Sequence, residues 1–138
     1  MNTTILDTNC LISFVSDRNP GQQEKIADLL DKAGRLQSVL IIHHHVISEF
    51  VYVLTGVYGL DAEETRQMIV DLIAMPGVLT PSEIDVQRLL ALWPAHIPDY
   101  GDAVLAAFCQ QTRGASIVTF DRKFNRVLSK AGIPVQDV

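Results

Sequence analysis

Four acidic residues stand where an apolar run ends or a helix opens: Asp7 after Ile5-Leu6, Glu49 in Ser48-Glu49-Phe50, Asp102 in Asp99-Tyr100-Gly101-Asp102-Ala103, and Asp121 after Thr119-Phe120. Carboxylates brought to one place repel one another, and a hard divalent cation with oxygen ligands is the usual remedy. Mg²⁺ takes a few carboxylates and keeps several waters, and Mn²⁺ suits the same ligands. The expectation is one or two such ions, with no thiolate or imidazole ligand. Asp99 stands three residues before Asp102 and suits the role of helix cap or supporting acid. Thr119 is placed to hydrogen-bond a neighbouring carboxylate. Each acid also has a plain alternative: Asp7, Asp99 and Asp121 as N-caps, Asp102 answering a helix dipole, and Glu49 as a solvated acid on a polar stripe.

Other chemistries find little support. His43-His44-His45 cannot all face one site, and only His96 remains as a further imidazole for zinc. The three are expected in a loop, with one of them near the acids. No glycine-rich phosphate loop, Gly-x-Ser-x-Gly elbow or cysteine–histidine nucleophile signature occurs.

The elements that must position the acids alternate along the chain. Strands are expected at Thr3–Leu6, Ser38–Ile42, Val78–Thr80, Ala115–Thr119 and, marginally, Ile133–Gln136. Between them lie helical patterns at about residues 11–15, 22–33, 46–58, 61–74, 82–93, 102–111 and 122–131. Gly34 is the expected cap of the second helix, Asp61 with Glu64 a capping box, and Pro81-Ser82 the start of the fifth. This alternation predicts an α/β fold of three layers, α/β/α, with a central parallel sheet. Residues 1–138 form one domain in this reading, with no linker or repeat. In such sheets ligands sit beyond the carboxyl ends of the strands, where the strand order reverses. With strand order 3-2-1-4-5, the first and fourth strands are neighbours there, and Asp7 faces Asp121.

Composition sets outer bounds. The 138 residues are 48% hydrophobic, enough for a core. The net charge of −5 argues mildly against a nucleic-acid partner, although Arg113, Arg122, Lys123, Arg126 and Lys130 cluster late in the chain. These are candidates for phosphate contacts or a solvated helix face. No run is long enough to span a bilayer and no secretory pattern opens the chain. Cys10 and Cys109 lie in apolar patterns, as in a reduced, cytoplasmic protein.

Taken together, Leu6-Asp7-Thr8-Asn9, Ser48-Glu49-Phe50, Asp99-Tyr100-Gly101-Asp102-Ala103-Val104-Leu105-Ala106-Ala107 and Thr119-Phe120-Asp121-Arg122-Lys123-Phe124 resemble the PIN-domain ribonucleases, and among them the VapC-type toxins of toxin–antitoxin pairs. Order and spacing carry the likeness over nearly the whole chain. It implies that Asp7, Glu49, Asp102 and Asp121 are catalytic and metal-binding acids, with Asn9, Thr119 and Asp99 in support. It implies Mg²⁺ or Mn²⁺, an RNA substrate, hydrolysis to a 5′-phosphate and a 3′-hydroxyl, a small antitoxin that blocks the site, and a homodimer. Met68, Ile69, Leu72 and Ile73 are the expected dimer face or else core. His43-His44-His45-Val46 departs from the more apolar segment usual before the family's glutamate. Other readings are a housekeeping PIN nuclease, a non-catalytic scaffold, or phosphoryl transfer on another α/β fold. The last lacks an Asp-x-Asp at residues 7–9, and no receiver-type aspartate or lysine is visible.

Overall fold

Strand β1 (Asn2–Leu6) lies at the centre of a parallel sheet with β2 (Ser38–Ile41), β3 (Val78–Leu79) and β4 (Ala115–Val118), in the order β3-β2-β1-β4. The computed structural model describes residues 2–138. Ile5 pairs with Ile41 on one side and Ile117 on the other, and all three are buried. Their apolar, β-branched side chains suit a strand covered on both faces. The crossovers proceed from β1 to β3 in one direction and then return to β4. Right-handed connections therefore put helices on both faces, which gives the expected three layers.

The fifth strand is reduced to a single parallel bridge between Ile117 and Val135. Ile117 N–H donates to Pro134 O and Gln136 N–H to Ile117 O. Pro134 has no N–H with which to extend a ladder. The Gln136 side chain continues the attachment, accepting from Thr4 Oγ1 at 2.7 Å and Ser116 Oγ at 3.2 Å.

The helices are α1 (Thr8–Val15), α2 (Pro20–Gly34), α3 (His44–Tyr52), α4 (Ala62–Ile73), α5 (Val86–Leu92), α6 (Tyr100–Gln111) and α7 (Arg122–Lys130). α6 is apolar nearly all round and buries every residue from Ala103 to Cys109. That anchors its first turn, which carries Asp102.

Several boundaries differ from expectation for identifiable reasons. α1 starts at Thr8 because Asp7 itself caps it. Gly34 does not cap α2. The left-handed residue is Leu36 at φ 59°, with Leu36 N–H on Ala33 O and Gln37 N–H on Lys32 O, a Schellman closure. α7 ends in the ordinary way, with Gly132 at φ 72°. Asp61 precedes α4 but its side chain makes no capping bond, so the capping box does not form. The helix expected from Val46 to Tyr58 changes at Tyr52 into a π-helical turn over Val53–Val57.

The histidine run is not a loop. His43 caps α3, accepting from His45 N–H at 3.0 Å through Nδ1, and His44 and His45 are its first residues. With Nδ1 accepting, Nε2 carries the proton and donates to Glu83 O at 2.8 Å. Burial holds this imidazole below its ordinary pKa, and it packs edge-on against Phe108. His44 N–H donates to Pro81 O. These two ties hold residues 81–83 irregular, so α5 opens at Val86 with Asp85 as cap, not at Ser82.

Cys10 and Cys109 are buried and unpaired, and burial pushes both thiols up, Cys109 to about 11. They serve as small core residues. Among the described residues, no helix is long and apolar enough to cross a membrane.

Candidate active site

Leu6 pairs with Val118, so the residues that leave β1 and β4 emerge side by side. The Asp7 N–H closes the ladder onto Val118 O at 3.0 Å. Asp7 is 7% exposed, and both carboxylate oxygens are engaged. Oδ1 accepts from Thr8 N–H at 2.7 Å. Oδ2 accepts from Thr119 Oγ1 at 2.7 Å and Asn9 Nδ2 at 3.1 Å. Asn9 also donates to Thr119 Oγ1 and accepts from Phe120 N–H at 3.1 Å, which stitches the two loops together. Thr119 Oγ1 accepts from Asp121 N–H at 3.1 Å. Asn9 and Thr119, expected from the sequence as supporting residues, both bond the Asp7 carboxylate and each other.

Burial pushes the Asp7 carboxyl up to about 6. The bonds from Thr119 and Thr8 oppose that rise, and the charges of Glu49 and Asp121 add to it. Asp102, in the first turn of α6, is pushed up to about 7, first by burial and then by Asp99, Asp7, Asp121 and Glu49. Asp99 caps α6 by accepting from Asp102 N–H at 2.9 Å. It is both the cap and the acid whose charge bears most on Asp102. Asp121 caps α7 through Lys123 N–H and Phe124 N–H, and its side chain is exposed. The plain capping role and a place at the site thus coexist at Asp7, Asp99 and Asp121.

Glu49 reaches the group from α3. Its Oε1 accepts from Thr8 Oγ1 at 2.8 Å, and His45 Nε2 lies 3.3 Å from the same oxygen. The neighbouring His45 holds this carboxyl below its ordinary range, and Glu49 in turn holds His45 above it. Thr8 and Gly101 stand inside the motifs but were given no role there, and His45 is the histidine of the run that lies beside an acid. The one available signal was the spacing of four between His45 and Glu49, which puts them on one helix face.

A cleft of about 180 Å³ is lined by Ile97, Pro98, Asp99, Asp102, Asp121, Lys123, Phe124 and Val127. Arg122 lines a second cleft with Thr119, Phe120 and Lys25. Of the late basic residues, Lys123 thus shares a cleft with Asp99, Asp102 and Asp121, and Arg122 lines one beside Thr119. A larger surface groove, lined by Asp85, Arg88, His96 and Lys130 among others, contains none of these acids.

Whether the rim suits a divalent cation can be judged from its charge. Among the described residues, none of Asp7, Asp99, Asp102 and Asp121 has a lysine or arginine partner, and Glu49 has only His45. Acids without a cationic partner, whose charges help push Asp7 and Asp102 up, all offer oxygen, the donor a hard ion takes. Among the described residues no three histidine, cysteine or acidic side chains are gathered closely enough to hold a metal ion by themselves. The rim is an open set of acids.

A parallel α/β domain with an acidic rim at its strand-order reversal is the class that fold and site define. The chain belongs to the PIN domain family, whose model matches residues 4–129. Among solved structures, a chain in the crystal structure of VapBC2 from Rickettsia felis bound to a DNA fragment from their promoter is similar at a TM-score of 0.69 and 15% identity, over 99% of this chain and 98% of that one. That likeness is one of fold. No curated protein sequence matches the chain.

Proposed function

We propose that this chain is a Mg²⁺- or Mn²⁺-dependent endoribonuclease and the toxin of a toxin–antitoxin pair. The observation that carries the reading is that the charges of Glu49 and Asp121 bear on buried Asp7 at the β1/β4 reversal, and those of Asp99, Asp7, Asp121 and Glu49 bear on Asp102, so that burial and the other acids push both carboxyls up. Family membership supports nuclease chemistry. The toxin role is supported by the likeness of the motifs to VapC-type toxins and by the fold shared with a chain of the VapBC2 structure.

Asp7 and Asp121 would hold the ion, with Asp102 and Glu49 as direct or water-mediated ligands. When bound, it would lower the pKa of a water and offset charge growing on the phosphate. The protein's own part is positional. Thr8, Asn9 and Thr119 fix the Asp7 carboxylate before any substrate arrives. One of the carboxylates, with Asp102 rigidly placed in the first turn of α6, would orient the attacking water. Lys123, in the cleft with the acids, and Arg122, beside Thr119, supply cationic contacts for the RNA backbone. The products would be a 5′-phosphate and a 3′-hydroxyl.

An antitoxin would act by delivering a basic side chain to the rim. The homodimer face would draw on exposed apolar residues of α3, the π turn and α4: Val51, Tyr52, Val57, Tyr58 and Ile73. Of the residues first considered for it, Leu72 is core, Met68 and Ile69 are half-buried, and only Ile73 is exposed.

The test is incubation of the purified chain with labelled structured RNAs in Mg²⁺, Mn²⁺ or EDTA, beside Asp102→Asn. Metal-dependent cuts that vanish in EDTA and in the variant are expected. A folded chain that neither cuts RNA nor binds Mn²⁺ would sink the proposal in favour of a scaffold.

A further inference from the structure

Glu49 is held by one oxygen. Thr8 Oγ1 and His45 Nε2 both approach Oε1, at 2.8 Å and 3.3 Å. Oε2 accepts no hydrogen bond among the described residues. It borders Gly101 instead: a Cβ there would stand 3.4 Å from Glu49 Oε2, 3.3 Å from Asp99 Oδ1 and 2.8 Å from His45 Nε2. The last distance is closer than a real Cβ tolerates, so a side chain at position 101 would displace the imidazole.

His45 Nε2 is itself shut off from solvent. The approach to Glu49 is short enough for an ion pair but off-axis for a hydrogen bond, and no other described group bonds to it. A buried donor left without an acceptor is costly, which draws this nitrogen to Glu49. His43 N-caps the same helix and accepts from His45 N–H, so the start of α3 is braced where the His45 side chain leaves it.

We infer that Thr8 and His45 are positioning residues that clamp Glu49 Oε1 and turn Oε2 toward the rim, with Gly101 keeping the slot open. The inference rests on the nuclease reading, because the cation is what Oε2 is presented to. It makes Glu49 a one-oxygen ligand whose direction is set from α1 and α3 together. His45 acts by offering its one unsatisfied donor to the carboxylate, not by ligating the ion.

The experiment is Mn²⁺ titration calorimetry on the purified chain and on His45→Ala, His45→Gln, Thr8→Val and Glu49→Ala, alone and combined, with circular dichroism as the check on folding. A glutamine at position 45 can still donate to Glu49 but is a poor metal ligand. His45→Ala and Thr8→Val should each weaken Mn²⁺ binding roughly tenfold, as loss of a ligand-orienting partner does. His45→Gln should restore most of the loss. On the Glu49→Ala background neither change should weaken binding further, because a clamp without its carboxylate holds nothing. Losses that add in full on that background, or a glutamine variant no better than alanine, would overturn the inference. If wild type binds Mn²⁺ and His45→Ala and Thr8→Val bind equally well, the clamp alone fails. If folded wild type binds no Mn²⁺, the nuclease reading fails and the clamp with it.

Discussion

Asp102 is the residue on which the electrostatics of the rim can be measured most directly. Its carboxylate accepts no hydrogen bond among the described residues, and it is half-buried, so replacing it by asparagine removes charge and little else. A carboxyl raised from 3.8 to about 7 on folding favours the protonated state. Its contribution to stability is complete below pH 4 and is lost as pH rises through 7. In metal-free buffer at pH 8, Asp102→Asn should therefore be more stable than wild type. The gain should be on the order of 1–2 kcal/mol once solvent screening of a half-exposed group is allowed for. Urea denaturation should show the gap closing between pH 7 and pH 4, and a gap independent of pH would contradict the assignment. The same protonation competes with a cation, so wild-type Mn²⁺ affinity should fall as pH drops from 8 to 6. At this scale Asp7, Asp102 and Asp121 stood out because each lies at the edge of an apolar segment, whereas Glu49 lies inside α3. Thr8 was not, because its partner Glu49 lies 41 positions away.

At the scale of elements, the informative place is the end of α2. Leu36 holds a left-handed conformation at φ 59° and leaves its side chain 61% exposed. A non-glycine residue there costs roughly 1–2 kcal/mol. Leu36→Gly should relieve most of that, less the extra entropy glycine loses on folding, for a net gain of about 1 kcal/mol. A higher urea midpoint with an unchanged slope would bear this out, and a loss of stability would mean that Leu36 packs against something in solution. Helix periodicity placed all seven helices but missed this cap, since Gly34 is the residue a pattern selects. It also missed the late start of α5, which depends on His43 and His44 reaching across to residues 81–83.

For the whole molecule, the proposed homodimer makes the exposed apolar surface around the π turn and the end of α4 consequential. Light scattering should give twice the chain mass at micromolar concentration. Ile73→Glu should weaken the dimer at least tenfold, since a charge placed in an apolar contact must be desolvated. A wild-type chain that stays monomeric at all concentrations would remove the dimer and leave the nuclease proposal standing. The RNA test is independent of this one, because the rim is assembled within a single chain.

Alternation of apolar strands with helical periods was enough to determine a parallel sheet between helices, and the order supposed for its first four strands is the one the chain adopts, β3-β2-β1-β4. Right-handed crossovers then leave only one reversal point, and acids at strand ends fall on it. Tertiary structure decided what local pattern does not encode. It reduced the fifth strand to one bridge, because Pro134 offers no donor. It moved the histidines from a loop into a helix, where His43 became a cap and His45 a neighbour of Glu49. It made Gly101 necessary by packing the first turn of α6 against them. Periodicity reports which face of an element is buried. Which groups meet across elements depends on register and distance, and those exist only once the chain has folded.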